Sequence, residues 1–190
     1  LVGGADRARD VLLLESADDS RGTGGQSLLA VRCALRCTGR GRQVRVTALT
    51  PAGRATLPWL GQRLATCGEV QVGEERLDIA LPAPARATTD AERLRAPSSL
   101  DVVRHLATGW TLKSRPTAAP LQMAGCLAYD LIDQFEQLPE AEQDPLGFPD
   151  WVFWLPQSLV RLDHRQATCT VLTHVFGGGG PAHYHDAVQE

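Results

Sequence analysis

The sequence predicts an α+β fold, with mainly antiparallel sheets and flanking helices, and three observations predict it. Strand-like runs outnumber helical ones along the 190 residues. Those runs meet in pairs across short turn signals, where a parallel sheet would need a helix between each pair of strands. Two stretches carry helix-start chemistry, a proline in one and a capping serine in the other. With 43% hydrophobic and 22% charged residues, the chain has enough apolar material for one sizeable core or two small ones.

Val11 to Leu14 is a short apolar run that breaks into Glu15 and Ser16 and stays polar through Ser20. It reads as a strand with a polar end. Ser27 to Cys37 and Val44 to Leu49 flank GRGR and form a hairpin. Pro58 to Cys67 suits a short helix opening on its proline. The stretch between Val70 and Pro97, which includes LPAPARATTDAERLRAP, is placed on the surface as a connection. Ser99 caps a helix over Leu100 to Lys113, with Leu100, Val103, Leu106 and Ala107 on one face. CLAYDLI, WVFWL, SLVRLDH and TCTVLTHVF then read as four strands, the last two paired across RQ. GGGG at 177–180 links to a final helix. No internal repeat is evident.

Charge is uneven although the net is only -3. Eight arginines and no acid lie between Ser20 and Gly68, and seven acids with no Lys or Arg between Thr117 and Val160. The basic stretch has one aromatic, Trp59, and no binding motif, so it reads as a solvated hairpin and not as a nucleic-acid surface. No apolar run approaches the roughly 18 residues of a membrane span, and no signal-peptide pattern opens the chain. The expected location is the cytoplasm, with no membrane partner. The five cysteines include no CxxC pair and are read as reduced core residues. A start at Leu1 and an end in AHYHDAVQE suggest a piece of something longer.

Catalytic chemistry is scarce. His183 and His185 lack further ligands at metal spacing except Asp186. Cys33 and Cys37 stand at even spacing on a strand and read as a packed pair. RGTGGQS lacks the Lys-Ser/Thr of a phosphate loop. Tyr129 and Asp130 have no completing partner. From the residues alone, the chain is a binding or regulatory domain.

LLLESADDS, SLLAVRCALRCTGRGRQVRVTAL, GCLAYDLIDQFEQLP and PDWVFWLPQSLVRLDH occur in that order. Together they resemble the amino-terminal region of anthranilate synthase component I, enterobacterial-type branch, from about Val11 to Phe176. The resemblance implies a single amino-terminal domain over 1–190, part of an orthogonally packed two-sheet sandwich completed by a carboxy-terminal chorismate-binding domain absent here. It implies an enzyme that converts chorismate and glutamine or ammonia to anthranilate and pyruvate, the first step of tryptophan biosynthesis. Mg2+ would serve the complete enzyme through ligands outside this segment, and a glutamine amidotransferase subunit would supply ammonia. The segment alone would be inactive, with no catalytic residue of its own.

In this family the LLES segment lines the feedback site for L-tryptophan, which assigns tryptophan binding to Leu14, Glu15 and Ser16. A zwitterionic amino acid needs an acceptor for its ammonium, donors for its carboxylate and an apolar slot for its ring. Glu15, Ser16 and Leu14 offer one of each. Strand alternation points Glu15 away from Leu14 and Ser16, so one of the three would act through its backbone. The glycine-rich RGTGG departs from the acidic, lysine-bearing sequence of enterobacterial relatives. Two alternatives stand beside this reading: aminodeoxychorismate synthase component I, and a stand-alone amino-acid-binding regulatory module.

Overall fold

The GRGR turn brings β2 (Gln26–Arg40) back on itself as β3 (Gln43–Ala48), and Gly41 takes the positive φ of 53° that the reversal needs. In this computed structural model, residues 10–15, 25–83, 89–111, 122–136, 146–177 and 185 are described. Their strands form one eight-stranded antiparallel sheet, as the α+β prediction requires. Its remaining strands are β1 (Leu12–Glu15), β4 (Glu69–Val72), β5 (Arg76–Ala80), β6 (Ala124–Leu127), β7 (Trp151–Asp163) and β8 (Thr168–Thr173). The path runs β4-β5-β3-β2-β7-β6, with β1 beside β2 and β8 beside β7. Both sequence-predicted hairpins therefore share the sheet. The expected final helix lies outside the described residues apart from His185.

β2 and β7 are long enough to carry different partners along their lengths. β3 pairs with Leu35 to Arg40 of β2, and β1 with Ser27 to Ala30. The register between β2 and β7 shifts from Ala30 through Leu35. There Cys33 faces Pro156, which has no N–H to give a regular ladder. This irregularity lets one strand absorb a proline, so WVFWL and SLVRLDH, expected as two strands, are one.

Beyond the bulges, one face of the sheet forms the core. Phe153, Cys37, Val46 and Leu77 stand in a cross-strand row, and Trp151, Gly39, Val44 and Ile79 in another. Apart from the half-buried Phe153, these side chains are buried. A Cβ on Gly39 would lie 2.2 Å from the Trp151 ring, so only glycine leaves the indole room. Arg36, Thr38, Arg45 and Asp78 alternate with these residues and take the opposite, polar face.

Helix α1 (Pro51–Leu64) covers the apolar face with Leu57, Leu60 and Leu64. It begins at Pro51 and not at Pro58, because Thr50 accepts the Gly53 N–H at 3.0 Å and Pro51 fills the first turn, where no donor is needed. Pro58 lies inside the helix on its exposed side. Helix α3 (Ser99–Thr108) likewise starts one residue before its expectation. Ser98 is its cap, its N–H donating to Asp101 at 2.9 Å, and Ser99 is buried. Val102 and Leu106 face the core, whereas Ala107 is exposed.

Three more expectations change. Val70 to Pro97 is not a bare connection: it holds the β4–β5 hairpin and a short helix, α2 (Asp90–Arg95). Its charged residues sit on the exposed face while Leu77 and Ile79 are buried. CLAYDLI splits into β6 and a 3-10 turn over Tyr129–Gln134. Cys33 and Cys37 are buried, with thiols pushed up to about 12, chiefly by burial. Cys126 and Cys169, however, are exposed on edge strands. Arg36, Arg45 and Arg54 of the basic stretch pair with Asp10, Asp78 and Glu75.

Thr50 also donates to Gln157 Oε1 at 2.7 Å, and the Gln157 carbonyl accepts the His174 N–H at 2.8 Å. The His174 ring is largely buried, its Nδ1 without a hydrogen-bond partner among the described residues, and burial holds its pKa below the usual histidine value. Below a pH of about 6.5 the unfolded chain binds a proton there that the folded chain resists, so stability falls as pH drops through that value. Unfolding titrations in urea from pH 7.5 down to 5.5 should show this loss, and His174→Phe should flatten it. An unchanged slope in the variant would assign the loss elsewhere.

Candidate functional site

β1 is an edge strand of four residues whose polar end drew notice in the sequence. Leu12 and Leu14 pair with Ala30 and Leu28 and point to one face. Together with Leu159, Pro156, Ala124 and Gln122 they line an apolar slot of about 30 Å³. At about 10–15 Å³ per water on this measure the slot holds roughly two waters, so it is a shelf on which a ring can lie and not a cavity that encloses one. Leu14 is 47% exposed at its mouth.

Glu15 pairs with Ser27 on the other face of β1 and is exposed. The structure thus brings Leu14 to the slot and turns the Glu15 side chain away from it. Ser16 lies outside the described residues. The Ser27 hydroxyl is 2.7 Å from His164 Nε2, a contact that ties the start of β2 to the β7–β8 turn. In that turn Asp163 accepts the N–H groups of Gln166 and Arg165 at 2.9 and 3.1 Å. Those bonds, Gln166 foremost, hold its carboxyl below the usual range.

At the slot's other end stands Asp10, two residues ahead of β1. Its Oδ1 accepts the Trp154 Nε1–H at 2.7 Å and an Arg36 Nη1–H at 3.0 Å. Arg36 and Trp154 are cross-strand partners, and Trp154 is in turn paired with Ala124 of the slot wall. Trp154 and Ala124 are cross-strand partners and share a face, so the Asp10 carboxylate bonded to Trp154 lies on the face of the slot.

Pro156, Leu159, Gln122 and Ala124 were missed by reading the sequence, since more than a hundred residues separate them from Leu14 and no motif links them. For Asp10 a signal existed: an acid immediately before an apolar run. A larger hollow, of about 400 Å³, opens beside Arg40, Arg45 and Asp78. It offers less chemistry, because Arg45 is already bonded to Asp78 at 2.6 Å. Among the described residues no group of three or more His, Cys, Asp or Glu is arranged to hold a metal ion. No described helix is long and apolar enough to cross a membrane.

Fold and slot define an α+β segment built on one antiparallel sheet, with helices over its core face and an apolar shelf beside an edge strand. No family model matches the chain. Among curated proteins it is 33% identical over 174 residues to anthranilate synthase component 1 of Vibrio cholerae, covering 92% of this chain and 33% of the relative. It is 35% identical over 167 residues to the Serratia marcescens protein of the same name, covering 87% and 31%. A solved structure of anthranilate synthase component I from Streptococcus pneumoniae aligns with 94% of this chain and 30% of its own, at a TM-score of 0.44 and 14% identity. Over about nine-tenths of its length the chain is similar to anthranilate synthase component 1, and it spans about a third of the length of the curated relatives it matches.

Proposed function

We propose that this chain is the amino-terminal regulatory segment of an enzyme that converts chorismate and ammonia to anthranilate and pyruvate, and that the end of β1 forms part of its L-tryptophan feedback site. The observation that carries the site is Leu14 over the apolar shelf, directly followed by Glu15 where the strand ends. An indole on the shelf leaves the amino acid's charged end at the polar end of the strand. Leu14 and Glu15 stand on opposite faces, so a ligand meeting both must lie across the strand's end, its ring on the Leu14 face and its ammonium reaching round to the Glu15 carboxylate.

Ammonia would come from a glutamine amidotransferase subunit, and the carboxy-terminal domain would hold chorismate. Mg2+ belongs to that domain in this reading. None of its chemistry is assigned to this segment. The segment's share is inhibition: if tryptophan favours an inactive arrangement, chorismate and tryptophan weaken one another's binding by equal factors.

The test is to assay the complete protein for anthranilate formation from chorismate and ammonium with Mg2+, with and without tryptophan. Anthranilate production that tryptophan suppresses supports the reading. Aminodeoxychorismate as product, or no chorismate turnover, overturns the enzymatic part. Turnover indifferent to tryptophan overturns the regulatory part.

A further inference from the structure

β1 is a short strand at the edge of the sheet, paired among the described residues with β2 alone. Leu13 and Leu14 are 61% and 47% exposed, so little apolar burial holds it. Four ladder positions on one side make a weakly anchored element. Yet the shelf needs Leu12 and Leu14 at a fixed height above Pro156 and Leu159. Something besides the ladder has to set that height.

Asp10 is placed to do so. The sheet is irregular from Ala30 to Leu35, and β1 pairs only with the part of β2 before that break. Arg36 and Trp154 lie beyond it. The Asp10 carboxylate crosses the break, accepting from Trp154 Nε1 at 2.7 Å and from Arg36 Nη1 at 3.0 Å. An indole N–H only donates and a carboxylate only accepts, so the match is unambiguous and charge-assisted. The Arg36 contribution is screened, since its side chain is 36% exposed and that of Asp10 25%. The indole bond is the more specific one. Trp154 is also the cross-strand partner of Ala124, so the residue that holds the strap lies in register with the wall of the shelf.

We infer that Asp10 is a positioning residue for the effector segment, setting Leu12 and Leu14 over the shelf by strapping β1 to Trp154 and Arg36 across the break in the sheet. This rests on the reading of the shelf as part of the tryptophan site. Asp10 touches neither tryptophan nor chorismate. It acts on where β1 stands, so its loss weakens inhibition without altering chorismate turnover.

The experiment compares Asp10→Ala, Trp154→Phe and the double variant in the complete protein, with Glu15→Ala as the check on the underlying reading. Each of the two single changes should raise the tryptophan inhibition constant about tenfold, equivalent to roughly 1.4 kcal/mol. The double variant should show no further rise, because both changes cut the same bond. kcat and KM for chorismate should stay at their original values. The Trp154 indole N–H resonance should move upfield in Asp10→Ala, a signature that a general loss of stability does not produce. Four results overturn the strap: inhibition unchanged in Asp10→Ala and Trp154→Phe while Glu15→Ala weakens it, additive effects in the double variant, chorismate turnover lost with inhibition, or an unmoved indole resonance. Inhibition unchanged in all variants, Glu15→Ala included, removes the effector reading itself and the strap with it.

Discussion

Glu15→Ala and Ser16→Ala should each raise the tryptophan inhibition constant of the complete enzyme about ten- to hundredfold. On the proposed reading each removes one hydrogen bond to a charged group of the effector, worth roughly 1.5 to 3 kcal/mol, and each tenfold step corresponds to about 1.4 kcal/mol. Glu15 suits this role because it is exposed where β1 ends, next to but not within the apolar shelf. An ammonium placed there finds a carboxylate that a strand continuing into the sheet would not offer. The readout is the ratio of inhibited to uninhibited rate across a tryptophan titration. Inhibition unchanged in both variants would mean that the polar break after Leu14 is only a strand meeting water. Loss of activity along with inhibition would mean that the segment supports the fold.

Trp151→Ala should lower the unfolding free energy by about 3 to 5 kcal/mol, as large aromatic truncations in cores do. Trp151 is 1% exposed and packs against Gly39 and Phe153. Its Nε1–H donates to Ser99 Oγ at 2.7 Å, which ties β7 to the first turn of α3. Gln134 joins Ser99 to Asp150, and Asp150 accepts the Gly41 N–H at 2.7 Å in the β2–β3 turn. One side chain thus touches the core and a polar network that links four parts of the fold. Against a domain stability of roughly 5 to 15 kcal/mol, the loss leaves little margin. Trp151→Phe keeps most of the ring and removes the donor, so it should cost only about 1 to 2 kcal/mol. Urea unfolding of the two variants separates packing from hydrogen bonding. Equal losses would mean that the Ser99 bond, and not the ring, is what matters.

How much of this was legible in the sequence follows from the range of each interaction. The GRGR and RQ turns marked two hairpins correctly, since turn chemistry is local and Gly41 answers to its own φ. The apolar run Val11 to Leu14 marked β1 for the same reason. Helix starts slipped: Pro58 read as a first helical residue, yet Thr50 and Pro51 together make the better start, and the proline inside is tolerated on the exposed side. The β4–β5 hairpin was read as a connection because Glu69, Gln71, Arg76 and Asp78 dilute its apolar signal. Only contact of Leu77 and Ile79 with the core reveals it.

By itself the sequence determined the α+β class, the antiparallel pairing of neighbouring strands and the family resemblance. Each depends on residues close together in the chain or on motifs kept in order. Only the tertiary structure decided that WVFWL and SLVRLDH are one strand, because Pro156 is acceptable solely where the register with β2 already shifts. It alone placed Asp10 against Trp154 and gathered Leu14, Ala124 and Pro156 around one shelf. Those groups meet through sheet register across more than a hundred residues, and register is set by the packing of whole strands, which no local pattern encodes.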